Sequence, residues 1–133
     1  MPRRATLPLV SVLLGLLTAC AEVPMQVQPP ASVIEAIERP AERALLQGLR
    51  LYDDAAYVDA EKQFNRALQL GLLSPKDRAA THKHLAFIYC TSSRNAECET
   101  AFRAARQADP GFALSKSEAG HPQWAQVYQR TRL

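Results

Sequence analysis

The sequence predicts an all-α fold of two consecutive helical hairpins followed by a C-terminal helix. Apolar side chains recur at helical spacing in four stretches. These stretches are residues 41–54, 57–70, 79–91 and 95–108. A polar turn separates the two stretches of each pair: Asp53-Asp54-Ala55-Ala56 in the first and Ser92-Ser93-Arg94-Asn95 in the second. Gly71 and Asp109-Pro110 end the pairs, because glycine favours a helix stop and the residue before proline disfavours helical backbone.

Residues 1–19 have the composition of a secretory signal peptide. Arg3 and Arg4 precede an apolar run over residues 7–17, which is too short to span a bilayer. The run ends in Leu17-Thr18-Ala19-Cys20, which resembles the lipobox of bacterial lipoproteins. The resemblance implies cleavage before Cys20 and a diacylglycerol on its sulfur. The alternative is an ordinary signal peptide followed by a chance cysteine.

Residues 20–31 are interpreted as a lipidated, proline-rich tether. The three prolines and the lack of packing residues favour an extended chain that reaches roughly 30 Å at ~3.1 Å per residue. Ala21 follows the cysteine, where aspartate tends to retain lipoproteins at the inner membrane. The lipoprotein resemblance therefore implies an anchor in the outer membrane, on the periplasmic face.

The charge balance argues against nucleic acid as a partner. The chain has 16 basic and 13 acidic residues, and removing Arg3 and Arg4 leaves 14 basic residues, or a net charge of +1. The two signs are interspersed, with no basic block of the kind that follows a phosphate backbone.

The folded domain is predicted over residues 32–133. Ser32 and Glu35 form a capping-box pattern for a short helix that reaches Arg39. Pro40 then ends that helix or starts the next one, where its missing N–H costs nothing.

Small and large residues repeat along the two hairpins. Ala60 and Cys98 lie 38 residues apart, and Phe64 and Phe102 share that spacing. In the first hairpin the small residues include Gly48 and Ala67, and Tyr57 is a large one. In the second hairpin the small residues include Ala86 and Ala105, and the large ones include Leu85 and Tyr89.

This pattern resembles the tetratricopeptide repeat (TPR), a helical hairpin of about 34 residues. The resemblance implies repeats at about 41–74 and 79–112. The four extra residues are either a longer loop or an extra turn near Pro75. Gln47, Leu72 and Cys98 depart from the TPR consensus. An unrelated four-helix bundle is the alternative.

The tail, residues 113–133, is predicted to cover the open face of the second repeat. A polar loop follows Leu114, and Pro122 starts a last helix whose apolar residues share one stripe. The residues predicted to form this cap are Phe112, Leu114, Trp124, Val127 and Tyr128.

Cys90 and Cys98 are predicted to form a disulfide. Once Cys20 is assigned to lipid, they are an even pair in an oxidising compartment, on either side of one turn. A redox or metal pair is the less favoured alternative, because a seven-residue spacer is not the CxxC pattern.

No catalytic or metal-binding set is predicted. His82 and His84 are two residues apart and point to different faces of a helix, and His121 precedes a proline. There is no nucleophile–base arrangement and no phosphate loop. We expect a protein that is not an enzyme, with no cofactor and no small-molecule substrate.

The TPR resemblance implies a concave groove that holds a peptide or a helix of a partner protein. The residues predicted to line it as an apolar strip with one charge are Leu45, Leu49, Tyr52, Lys83 and Phe87. Cys90 also falls on a groove position, which conflicts with the disulfide unless the register shifts by one residue.

The predicted function is to bind or scaffold a protein in an envelope assembly, such as a secretion or pilus apparatus. The alternative is a structural, self-associating lipoprotein whose groove is closed by residues 32–39 or by its tail.

Overall fold

The computed structural model describes residues 39–132, which form six helices and no strand. The helices are α1 (Pro40–Asp53), α2 (Tyr57–Leu70), α3 (Pro75–Thr91), α4 (Asn95–Ala108), α5 (Lys116–Ala119) and α6 (Ala125–Arg130). The all-α prediction is confirmed for this part of the chain. None of these six helices is long and apolar enough to cross a membrane. The predictions for the signal peptide, Cys20, the tether and the helix from Ser32 lie outside the described residues.

The helices pack in chain order. Helix α1 packs against α2 and α3 packs against α4, which gives a first and a second helix pair, and α2 joins the pairs by packing against α3. Residues 113–132, the C-terminal segment, contain α5 and α6, and α6 packs against α4. Side chains from both pairs and from this segment form one continuous apolar core.

The turns that close the two pairs have the same hydrogen-bond pattern, 38 residues apart. The N–H of Ala55 donates to Tyr52 and that of Ala56 to Leu51. Ser93 and Arg94 donate to the corresponding carbonyls, those of Cys90 and Tyr89. This is the Schellman arrangement, which requires a left-handed residue after the helix. Ala55 and Ser93 adopt that conformation, with φ of 59° and 63°.

Helix α3 begins four residues before the predicted start at residue 79. The Ser74 hydroxyl accepts the N–H of Asp77 as an N-cap, and Pro75 occupies the first helical position. The Arg78 guanidinium also donates to the carbonyls of Leu72 and Leu73. The extra residues between the pairs therefore form an additional helical turn, one of the two possibilities that the spacing allowed.

The C-terminal segment differs from its prediction in two places. The predicted polar loop contains α5, because Ser115 and Glu118 form a complete capping box. The last helix begins at Ala125 rather than at Pro122, after a turn in which Trp124 donates to the His121 carbonyl. The prediction of a loop after Leu114 is wrong for this reason.

Gly48 allows α1 to approach α2 closely. A Cβ atom at this position would lie 2.6 Å from Cδ1 of Phe64, whose ring is completely buried. Ala86 and Phe102, the residues 38 positions later, are likewise completely buried. Gly48, Phe64 and the residues 38 positions later therefore lie between the paired helices, whereas Tyr57, also assigned to a large position, is 46% exposed.

Candidate functional site

The five residues of the predicted groove do not form one open strip. Leu45 and Phe87 are buried, whereas Leu49 and Tyr52 are partly exposed. Lys83 is partly exposed and forms an ion pair with Glu118 of the C-terminal segment. The α3 half of the predicted groove is therefore covered by the protein's own chain, and the α1 half is not fully covered.

Trp124 covers Phe87. The two rings stack with centroids 4.1 Å apart and planes 21° apart, and His121 stacks on the other face of the indole at 3.7 Å. The indole N–H donates to the carbonyl of Glu118 at 2.7 Å, so the polar edge of the ring is satisfied as well. Trp124 is only 8% exposed.

Glu118 covers Lys83. Its carboxylate accepts from the Lys83 ammonium at 2.7 Å, across 35 residues of sequence. Burial raises the pKa of Glu118, but the hydrogen bonds from Lys83 and Ser115 outweigh this effect and hold the pKa below its usual value. The carboxylate therefore caps α5 and neutralises Lys83 at the same time.

Tyr128 attaches the end of the segment to α4. Its ring meets Phe102 edge-to-face with centroids 5.2 Å apart, and its hydroxyl accepts the backbone N–H of Leu114. Leu114, Val127 and Tyr128 are all buried, and Phe112 is partly buried. The five residues predicted for the cap thus belong to the core or pack against it.

Arg106 of α4 lies beneath Tyr128. The centre of its guanidinium is 4.9 Å from the Tyr128 ring centroid and 6.0 Å from that of Phe112. Its Nε and Nη2 atoms are buried and have no hydrogen-bond partner within residues 39–132. Contact with the electron-rich faces of the two rings partly offsets the loss of hydration.

His84 links the two helix pairs on the side of the predicted groove. Its ring stacks on Phe64 at 5.4 Å, and the rings of Tyr52 and Phe87 meet it edge-to-face at 5.1 and 6.1 Å. Because the Ala80 carbonyl can only accept a hydrogen bond, the His84 Nδ1 atom 2.7 Å away must carry the proton. Burial lowers the pKa of His84, so the ring is held in its neutral form.

Cys90 faces α4 rather than the predicted groove. Its sulfur lies at disulfide bonding distance from that of Cys98, and the two Cα atoms are 5.2 Å apart. Both cysteines are buried between α3 and α4. Cys90 therefore does not line the predicted groove. The predicted groove register is wrong at this residue, and the cysteine pair is at disulfide distance as predicted.

A second concave surface lies away from the predicted groove. It is a cleft of about 380 Å³ between α2, α3 and α4. Its apolar lining includes Leu68, Leu85, Tyr89 and Ala101. Sequence reasoning did not identify this cleft, because its residues come from three helices and are each explained by helix packing.

Sequence reasoning also missed the roles of Glu118 and His84. The Ser115-x-x-Glu118 spacing is a capping-box signal that could have located α5. In a stack of helical hairpins, each hairpin packs one face against the hairpin before it. If the two pairs are such a stack, the 38-residue spacing could have predicted that His84 contacts the first pair.

Within residues 39–132 no group of three or more histidine, cysteine or acidic side chains is arranged to hold a metal ion. No family model, curated protein or solved structure matches this chain.

Proposed function

We propose that this chain is a lipid-anchored protein of the bacterial envelope that binds another protein through a TPR-like domain. The two helix pairs would be the two repeats, and the C-terminal segment would cap the second one. The 38-residue correspondence supports this assignment, because Gly48 and Ala86, and likewise Ala55 and Ser93, occupy equivalent positions. A solenoid of two units needs such a cap, since its terminal face would otherwise expose apolar side chains.

The observation that carries the binding proposal is the partial exposure of Leu49 and Tyr52. They lie one helical turn apart on α1, and Tyr52 borders the aromatic cluster around His84. The C-terminal segment covers Phe87 and Lys83 but leaves these two side chains accessible. Apolar side chains at the edge of a groove are a typical contact for a partner's extended segment or helix.

We propose the location of the protein from the sequence around Cys20. A lipid on Cys20 would anchor the chain in the outer membrane, and the tether would hold the helical domain on the periplasmic side. The partner would be a protein of an envelope assembly, such as a secretion or pilus apparatus, by analogy with other small TPR lipoproteins. We propose no enzymatic activity, because the ionisable groups of the groove are used in packing and in an ion pair.

Affinity capture from solubilised envelopes tests the binding proposal. Leu49→Glu places a charge at the partly exposed position, and Leu73→Glu is the matched control, since Leu73 is 71% exposed in the connection between α2 and α3. Phe87→Glu is unsuitable because Phe87 is buried in the core. We expect Leu49→Glu to lose the captured protein and Leu73→Glu to retain it. If both folded variants capture the same protein, the α1 half of the groove is not the binding surface.

A second candidate function is a structural, self-associating lipoprotein. Two contacts that close the α3 half of the predicted groove favour it. Trp124 stacks on Phe87, and Glu118 forms an ion pair with Lys83. Light scattering after size-exclusion chromatography, at several concentrations, separates the two candidates. A monomer at all concentrations contradicts self-association, whereas a concentration-dependent oligomer that captures no other protein contradicts the first proposal.

A further inference from the structure

The cleft between α2, α3 and α4 has a counterpart in the first pair, 38 residues earlier in the sequence. This counterpart, the α1–α2 cleft, has a volume of about 350 Å³ and is lined by Pro40, Arg43, Ala44, Gln47, Gln63 and Arg66. The residues 38 positions after the last four of these also line the cleft of the second pair, and they are His82, Leu85, Ala101 and Ala104. The two clefts therefore occupy equivalent places in the two pairs.

The two clefts differ in their chemistry. In the second pair, Leu85, Ala101 and Ala104 make the lining apolar, and α2 of the first pair contributes Asn65 and Leu68 to it. The corresponding residues of the first pair are Gln47, Gln63 and Arg66. Among the six helices of residues 39–132, only α1 and α2 line the cleft of the first pair. Polar and charged side chains therefore replace apolar ones where no other described helix adjoins the cleft.

The α1–α2 cleft has unused hydrogen-bonding capacity. Within residues 39–132, none of its arginine and glutamine side chains forms an ion pair or a hydrogen bond. Arg43, Gln47 and Arg66 are exposed, and Gln63 is partly exposed, so all of them can reach a ligand. Because no carboxylate of this range pairs with the two arginines, a ligand that complements the cleft is negatively charged.

We propose that the α1–α2 cleft binds an acidic segment of a partner protein. Arg43 and Arg66 lie on different helices, and each guanidinium can donate two parallel hydrogen bonds to an aspartate or glutamate carboxylate. Gln47 and Gln63 have amide oxygens as well as amide N–H groups, so they can bond to the N–H and C=O groups of the segment's backbone. Leu46, which is next to Gln47 in the sequence and 46% exposed, provides an apolar contact.

The mixture of donors and acceptors favours a peptide over the other anionic occupants. An ionised phosphate group, on a lipid for example, has only acceptor oxygens, so it would pair with Arg43 and Arg66 but not with the amide oxygens of Gln47 and Gln63. A second copy of this chain packed face to face would bring the same arginines together, and like charges across an interface are unfavourable. An acidic peptide supplies both the negative charge and the backbone N–H donors.

The α1–α2 cleft is separate from the predicted groove. Arg43 and Gln47 lie one helical turn apart on one side of α1, whereas Leu49 and Tyr52, at the edge of the groove, lie on another side of the same helix. The proposal therefore adds a second binding surface to the first pair. It depends neither on the lipid anchor nor on a partner bound at the groove.

NMR titration of isotope-labelled residues 21–133, which retain every described residue, tests the proposal. The probe is a peptide of glutamates and alanines around one leucine, and the same peptide with glutamine in place of glutamate is the control ligand. We expect only the acidic peptide to shift the side-chain Nε–H signals of Arg43 and Arg66, and to do so saturably. Arg43→Gln and Arg66→Gln should each weaken binding by about threefold to fivefold. Arg132→Gln, which removes the same charge at an exposed position of the C-terminal segment, should leave the affinity unchanged.

Three outcomes would overturn the proposal. The first is the absence of saturable shifts at Arg43 and Arg66, or equal shifts with the neutral peptide. The second is an equal loss of affinity in Arg132→Gln, since attraction by net charge alone would explain it. The third is a different occupant. Phosphatidylglycerol vesicles that shift these signals when the peptide does not would identify a membrane surface. Shifts that depend on protein concentration without any peptide would identify a second copy, and contacts from residues before Arg39 would identify the chain itself.

Discussion

The indole of Trp124 stacks on the ring of Phe87 with the two centroids 4.1 Å apart. This contact joins the C-terminal segment to the α3 side of the predicted groove. Burying four apolar side chains of the segment, Leu114, Trp124, Val127 and Tyr128, contributes about 1.5–3 kcal/mol for each fully buried side chain. A partner that displaced the segment would have to offset several kcal/mol. We therefore treat the segment as part of the folded domain, and the proposed partner would contact the α1 side.

Reduction of the Cys90–Cys98 disulfide should lower the thermal stability of the protein. The bridge closes a loop with a sequence separation of 8 residues, for which the chain-entropy model gives roughly 2–3 kcal/mol. For a domain of this size that corresponds to a fall in Tm of roughly 10–20 °C. Thermal unfolding followed by circular dichroism, with and without reductant, measures it. The double variant Cys90→Ala and Cys98→Ala should not respond to reductant, and an unchanged Tm of the reduced native sequence would contradict a stabilising bridge.

Gly48→Ala should destabilise the first helix pair. The added Cβ would lie 2.6 Å from Phe64, and relieving such a clash in a packed core costs about 1–3 kcal/mol. Alanine brings a gain of about 1 kcal/mol through helix propensity, so we expect a net loss of up to about 2 kcal/mol. Urea unfolding gives the free energy difference. In a Phe64→Leu background the smaller side chain leaves room, and Gly48→Ala should no longer destabilise; a loss of the same size in both backgrounds would rule out the clash as the cause.

Ala55→Gly and Ser93→Gly should each stabilise the protein. Both residues have a positive φ, a conformation that costs roughly 1 kcal/mol for a residue with a Cβ and little for glycine. Glycine also increases the entropy of the unfolded chain, which offsets about 0.4–1 kcal/mol of this relief, so we expect a net gain of up to about 0.6 kcal/mol at each position. Ala113→Gly is the matched control, since Ala113 is exposed, lies outside the helices and has no positive φ, so the added flexibility should destabilise. A loss of stability in both Ala55→Gly and Ser93→Gly would contradict this description of the turns.

The stability of the folded domain should fall as the pH is lowered from about 7 to about 5. Burial lowers the pKa of His84, although the hydrogen bond to Ala80 opposes this, and burial together with Arg78 lowers the pKa of His82. Below the unfolded-state pKa of about 6.5, the unfolded chain binds more protons than the folded domain. The two histidines therefore contribute stability that is fully present above that pH and is lost below it.

Urea unfolding at several pH values measures this dependence. The double variant His82→Gln and His84→Gln should have a flatter profile between pH 7 and 5. The contribution of Glu118, whose pKa is lowered, lies in a separate window below about pH 4.3 and should persist in the variant. A profile unchanged between pH 7 and 5 would show that neither histidine causes the dependence.

The bounds of α2 and α4 could be predicted to the residue, because local signals determine them. A polar turn precedes each helix, and Gly71 and Asp109 follow the last helical residues. The start of α3 was predicted less well, because Ser74 and Pro75 form a capping signal that competes with the apolar pattern starting at residue 79. The sequence therefore predicts a helix boundary correctly where one capping or turn signal is present. It predicts the boundary less well where a capping signal and the apolar pattern indicate different starting residues.

The cover over the groove could be predicted only in part. The helical spacing of Trp124 and Tyr128 predicts that both pack against the second pair. The ion pair between Lys83 and Glu118 joins residues 35 positions apart, and no local pattern relates them. The surroundings of His84 also come from α1, α2 and α3 together. Contacts of this kind depend on tertiary packing, which periodicity does not encode.

Fluorescence quenching of Trp124 tests most directly the claim that the C-terminal segment covers the α3 half of the groove. Trp124 is the only tryptophan of the chain, so its emission reports on this contact alone. We expect acrylamide to quench it much less in the native protein than in the urea-unfolded chain, and its exposure to coincide with the loss of helix in a urea titration. Quenching in the folded protein equal to that in the unfolded chain would contradict the account, because Trp124 would then not lie on Phe87.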